Sequence, residues 1–308
     1  MSRNYWSPII REALHNGQVT INQDDLVRAY REWRDQDVIL HFENSNGEYV
    51  EAISPKRGNR QYANRKWRRY RELQSGMDGL KWDFEIPKAR SNVIRKTHLL
   101  FITLTFNRSY SIQESWQLCT SRGGELNRFS ARLHKILGNK ATYKAKEAQV
   151  SGYAAPHILC IMDRPLTAFK HKGKWRIQNR KIMEQIKKAW PHGYVDIMAC
   201  VDGKVEGRGV LSYMMKYSTK VVSMDPLYPN KTHIAELTHA WNKIFGTRDV
   251  ISKQFMQRLN TLHVEPQEET ESEWELTTIE YRPDLILTVQ REGWGVFRPP
   301  DPVNFVVS

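Results

Sequence analysis

Two tyrosines, Tyr213 and Tyr217, stand four residues apart, with Lys216 directly before the second, in the stretch from Gly209 to Lys220. Residues i and i+4 of a helix are neighbours on one face, so both phenols can address one phosphodiester while Lys216 and Lys220 neutralise it. That is the layout of a strand-transfer site. The same spacing also fits an amphipathic helix whose tyrosines pack in a core, and the rest of the chain has to decide between the two.

The chain has 308 residues, 40% of them hydrophobic, enough for a sizeable core in one large or two ordinary domains. Forty-seven lysines and arginines against 34 acids give a net charge of +13, which favours a polyanionic partner, nucleic acid first. Cys119, Cys160 and Cys200 are odd in number and far apart, so neither a disulfide framework nor a Cys-x-x-Cys metal site can be drawn. A reducing cytoplasm, that of a host cell, fits them. The N-terminus lacks the apolar run of a signal peptide, and no stretch approaches the ~20 apolar residues that cross a bilayer, so no membrane partner is expected.

The elements that must position the tyrosines are readable from periodicity. Leu26, Tyr30 and Trp33 recur at helical spacing between Asp24 and Arg34, with Asn22 or Asp24 as the cap. From Lys56 to Arg71 eight lysines and arginines occur without an acid, interleaved with Tyr62, Trp67 and Tyr70. Arg65, Lys66, Arg68 and Arg69, with Lys220, are candidate DNA-binding residues, and Trp67 is a candidate for stacking on unpaired bases; a solvated basic helix with Trp67 and Tyr70 turned inward is the alternative. Strands are expected at Leu99–Phe106, Thr142–Val150, His157–Met162 and Tyr194–Val201. Helices are expected at Glu125–Leu137, Ile182–Trp190 and Gly209–Lys220, and a turn at Ser151–Pro156. The order β-α-β-β-α-β-α predicts an α+β fold, a ferredoxin-like antiparallel sheet with helices on one face and additions at both ends. Six glutamates crowd Glu265 to Glu275, a linker-like run, and short strands are expected at Leu285–Val289 and Trp294–Phe297.

Three segments then carry a resemblance. Phe101-Ile102-Thr103-Leu104-Thr105-Phe106 resembles the first motif of rolling-circle replication initiators of the HUH endonuclease superfamily. Glu147 to Leu159, with its glycine turn and Pro156-His157, resembles their second, and Tyr213-Met214-Met215-Lys216-Tyr217 is similar to the third motif of the two-tyrosine branch. Three motifs in order over about 120 residues are more specific than any one alone. One departure matters: the second motif calls for a histidine at 159, where this chain has Leu159.

The resemblance implies that Tyr213 or Tyr217 attacks a scissile phosphate, leaving a 5′-phosphotyrosine and a free 3′-hydroxyl, with Lys216 beside them. It implies Mg²⁺ or Mn²⁺ held by Glu147 and His157, with Gln149, two residues along the same strand, as a replacement donor for the missing histidine. The partners it implies are origin DNA, single-stranded at the nick site, and a host helicase and polymerase, since no phosphate loop of an intrinsic helicase is present. The expected organisation is a basic region over 1–90 that helps to bind DNA, a nicking domain over 91–262, and an acidic linker with a short β segment over 263–308. The expected function is initiation of rolling-circle replication for a plasmid or virus. The alternatives are a non-catalytic origin-binding or regulatory protein on the same fold, or a related transposase or relaxase strand transferase.

Overall fold

A computed structural model of the chain describes residues 22–35, 37–53, 70–86, 94–120, 124–138, 140–205, 208–219, 229–245, 250–259 and 274–282. The basic run through Arg65, Lys66, Trp67, Arg68 and Arg69, Lys220, the glutamates before Trp274 and the expected strands after residue 284 lie outside them.

Leu99 to Leu104 is apolar at every position but Thr103, the pattern of a strand covered on both faces. It forms the C-terminal half of the central strand. In chain order the described elements are α1 (Gln23–Asp35), β1 (Asp37–Asn44), β2 (Tyr49–Ile53), α2 (70–78), β3 (Asp83–Ile86), β4 (Ile94–Leu104), α3 (Ile112–Gln117) and α4 (Glu125–Leu137). There follow β5 (Lys140–Ala148), β6 (Ala154–His171), β7 (Lys174–Ile177), α5 (Arg180–Lys188), β8 (Val195–Ala199), β9 (Lys204–Val205), β10 (Arg208–Gly209) and α6 (Val210–Thr219). The last are α7 (Pro229–Ile244), β11 (Val250–Ile251), α8 (Lys253–Arg258) and β12 (Trp274–Arg282).

The chain is thus α+β, built on a curled antiparallel sheet of seven strands. Strand β4 pairs with β6 along its length, with β8 over Leu100–Leu104 and with β3 over Ile94–Thr97. A register shift between Thr97 and Leu99 divides the two halves. Strand β5 lies outside β6, with β11 at its edge, and β7 folds back on the far end of β6. A separate three-stranded sheet joins β12 to the β1–β2 hairpin, so residues near the two ends of the chain pair with each other.

Helices cover both faces of the large sheet, not one. Leu100 and Ile102 of β4, with Ile158 and Cys160 of β6, face a core completed by Trp116, Phe129, Leu133, Trp190 and Trp241. Leu99 and Phe101, with Tyr143, Leu159 and Ile161, face a second core completed by Leu73 and Met77 of α2, Val210, Leu211 and Met214 of α6, and Phe255 of α8. The two crossovers, α3–α4 and α5, furnish only the first layer. The second is made by helices lying outside them in sequence.

Helix α1 belongs to the first core. Leu26, Val27, Ala29, Tyr30 and Trp33 are buried in it, and the core does not divide at residue 90. Asn22 caps the helix, its side chain accepting from the Asp24 amide at 2.9 Å. Against α7, Arg34 Nη1 donates to Glu236 Oε1 at 2.9 Å and Arg31 Nη2 to Oε2 at 2.6 Å, in a pair whose Glu236 is 1% exposed. No described helix is long and apolar enough to cross a membrane.

All three cysteines are free and buried. Burial pushes the Cys119 thiol up to about 12 and Cys160 up to about 11, and raises Cys200 in the same way. A thiol that ionises normally only when unfolded holds stability below its unfolded value, near pH 9, and loses it as pH rises toward its folded one. Stability should therefore decline from pH 9 upward, and alkylation of native protein at pH 8 should be at least about a hundredfold slower than in denaturant. Rapid native labelling would show that the thiols are not sealed in.

Candidate active site

Strand alternation places His157, Leu159 and Ile161 on one face of β6, and Ala145 and Glu147 on the same face of β5 beside it. The pairing sets Ala145 opposite His157, so Glu147 reaches the imidazole from one residue pair further on. His157 Nε2 lies 3.1 Å from Glu147 Oε1. Its other nitrogen, Nδ1, is 3.1 Å from Thr103 Oγ1 on β4, which stands directly opposite in register. The hydroxyl thus holds one ring nitrogen, while the carboxylate lies within ion-pair distance of the other.

The turn that starts β6 is held from elsewhere. Gly152 has φ +87°, and a Cβ there would meet Gln23 Nε2 of α1 at 2.4 Å, so the position needs glycine. Trp116 Nε1 donates to the Gly152 carbonyl at 2.9 Å. Pro156 pairs with Lys146 on β5 but lies just past the last β4 pair, Thr103 with His157, so its missing N–H breaks no bond to β4. The end of β5 is pinned by α7, where the Ala148 amide donates to Thr238 Oγ1 at 2.7 Å.

Helix α6 brings Tyr213 onto this face. The Tyr213 ring is edge-on to His157, with centroids 6.0 Å apart, and edge-on to Phe101 at 5.1 Å. Lys216 and Tyr217 continue the helix, Tyr217 one turn beyond Tyr213; their side chains lie outside what the structure describes. Tyr70, the first described residue of the basic run, hydrogen-bonds through its hydroxyl to Ser212 Oγ, the neighbour of Tyr213. Neither Thr103 nor Tyr70 was singled out as a site residue from sequence. Thr103 has a signal, being the one polar residue in an apolar run, and Tyr70 packs against the second core, as the inward-turned reading of the basic run has it.

No protein-family model, curated protein or solved structure matches this chain. The site therefore stands on its residues alone.

Gln149, expected to stand beside Glu147 on the same strand face, lies beyond that strand. It falls after the end of β5, where its amide and carbonyl close the turn with Tyr153 and Gly152 at 2.8 Å each, so strand alternation no longer fixes its side chain on the Glu147 face. Leu159 is fully buried, opposite Phe101 and Tyr143 in register, and belongs to the second core rather than to the site. A histidine there would put an imidazole among apolar side chains.

Among the described residues, no group of three or more histidines, cysteines, aspartates or glutamates is placed to hold a metal. Glu147 and His157 are two donors. Neighbouring ligands of an octahedral ion bound at about 2.1 Å stand about 3 Å apart, close to the 3.1 Å between Nε2 and Oε1. Among the described residues Glu147 Oε2 is buried without a hydrogen-bond partner, which leaves a lone-pair acceptor. This suits a hard ion that takes one or two protein ligands and completes its shell with water and phosphate oxygens.

Proposed function

We propose that the chain is a metal-dependent, site-specific DNA nickase and ligase of the rolling-circle initiator type, acting through Tyr213 and Tyr217. The observation that carries the reading is the meeting of Glu147, His157 and Tyr213 on one sheet face, from residues 66 positions apart in the chain. The order of the four inner strands, β5-β6-β4-β8, all antiparallel with helical crossovers before β5 and β8, is that of a ferredoxin-like sheet and supports the same assignment. The second helical layer is an addition to that plan.

In this reading Glu147 and His157 would hold Mg²⁺ or Mn²⁺, with Thr103 fixing the imidazole, and a bound ion would supply polarisation of the scissile phosphate. Tyr213 Oη then forms a bond to phosphorus, the P–O3′ bond breaks, and the phenol proton passes to the departing 3′-oxygen. The bond energy is kept in the phosphotyrosine, so the reverse attack by a 3′-hydroxyl rejoins DNA without ATP. Tyr217 supplies the second cleavage after one circuit. Origin DNA is the partner, and a host helicase and polymerase would open and copy the duplex.

His157→Ala is expected to lower cleavage of single-stranded substrate by about a hundredfold or more while leaving DNA affinity within about twofold. Glu147→Ala should raise the Mg²⁺ concentration needed for half-maximal cleavage. Nicking that is unchanged in His157→Ala overturns the metal assignment. A purified wild type that binds DNA but never nicks it favours the origin-binding alternative, for which Leu159 in the core is the supporting observation.

A further inference from the structure

We infer that the β6–β7 hairpin and helix α5 form a second nucleic-acid surface, shaped for duplex DNA rather than for a single strand at the tyrosine helix. Between Arg164 and Lys188 nine lysines and arginines face one acid, Glu184. The two flanking carboxylates are already engaged: Asp163 with Arg258, and Asp196 with Arg176. Lys170, Lys172, Lys174, Arg180, Lys181, Lys187 and Lys188 are all exposed, so this side of the molecule presents a dense positive charge to water.

The hairpin is rigid at its base and bare at its tip. Ala168 and Ile177 are opposite one another and fully buried, Trp175 packs on the first core, and Arg176 Nη1 also donates to the Ile197 carbonyl at 2.7 Å. The tip turns at Lys172, φ 46°, and Gly173, φ 79°. Two left-handed residues in succession make the tight turn that suits a twisted two-stranded ribbon.

Such a ribbon fits the major groove of B-form DNA, about 12 Å wide. The major groove of double-stranded RNA is too narrow and deep to admit it. Proteins that hold single strands stack bases on exposed aromatics, and the exposed tip, Lys170-His171-Lys172-Gly173-Lys174, has no tryptophan, tyrosine or phenylalanine. The surface rests on the hairpin's own charge and shape, and would serve a binding module as well as a nickase.

The test uses the full chain in EDTA, so that no cleavage intervenes, with fluorescence anisotropy on a short arbitrary-sequence DNA duplex, the matching single strand and the matching RNA duplex. Lys170→Gln/Lys172→Gln is compared with Lys81→Gln/Lys253→Gln, an exposed pair of equal charge elsewhere. For the DNA duplex the hairpin variant should lower the slope of log K against log salt by about 1.8, at about 0.9 per lost phosphate contact, and weaken binding about thirtyfold near 0.15 M salt. The control pair should stay within about twofold of wild type, both variants should melt with wild type, and affinity for the single strand should hold. Equal losses in the two variants would reduce the effect to net charge and overturn the assignment. So would a loss confined to the single strand or to RNA, or an unchanged slope.

Discussion

Tyr213→Phe, which removes a single oxygen, is expected to cut strand cleavage by about a thousandfold or more, since no other change deletes the attacking atom outright. The ring itself survives the substitution. It keeps the edge-on packing against Phe101 and His157, so the melting temperature should move by no more than a degree or two. Tyr217→Phe should behave differently: a first cleavage is retained, because among the described side chains Tyr213 is the phenol beside His157, whereas release of a rejoined circle fails. The double variant should form no covalent adduct at all. Single-turnover assays on labelled oligonucleotides separate these steps. A Tyr213→Phe protein that nicks at the wild-type rate would place the nucleophile elsewhere.

The largest expected effect on stability comes from a residue far from the chemistry. Glu236→Ala leaves Arg34, only 7% exposed, without its carboxylate in the contact between α1 and α7. Breaking a buried pair from one side costs about 3–5 kcal/mol, because the remaining charge stays desolvated. Arg31, with half its side chain in water, contributes far less to that figure, under about 1 kcal/mol. A chain of this size should lose about 5–8 °C in melting temperature. Replacing Arg31 alone should be nearly silent. Equal, small shifts for Glu236→Ala and Arg31→Ala in thermal unfolding would show that α1 is not locked to the body through this carboxylate.

Local patterns made much of this legible in the sequence. Helix α4 was readable to its ends because Leu126, Phe129 and Leu133 form one apolar stripe. The Glu147–His157 pair came from the resemblance alone, and the register of β5 against β6 brings the two side chains together. Strand β6 was readable only as far as Met162, since beyond it Arg164, Pro165 and the lysines of the hairpin hide a strand that is held by pairing rather than by burial. Of the second helical layer only α6 was readable as a helix, and not its place on that face, because α2, α6 and α8 are brought to the sheet by tertiary packing and not by the crossovers that periodicity reveals. Glu236 and its arginines, more than 200 residues apart, have no local signal at all. The contact of Tyr70 with Ser212 is equally invisible from either segment alone.

The central claim is a covalent bond between one named tyrosine and DNA. Wild-type protein incubated in Mg²⁺ or Mn²⁺ with a pool of random single-stranded oligonucleotides, separated under denaturing conditions and digested for mass spectrometry, should carry a nucleotide phosphate on Tyr213 in the peptide spanning α6. No adduct with either metal from correctly folded protein, or an adduct on a residue outside α6, would contradict it.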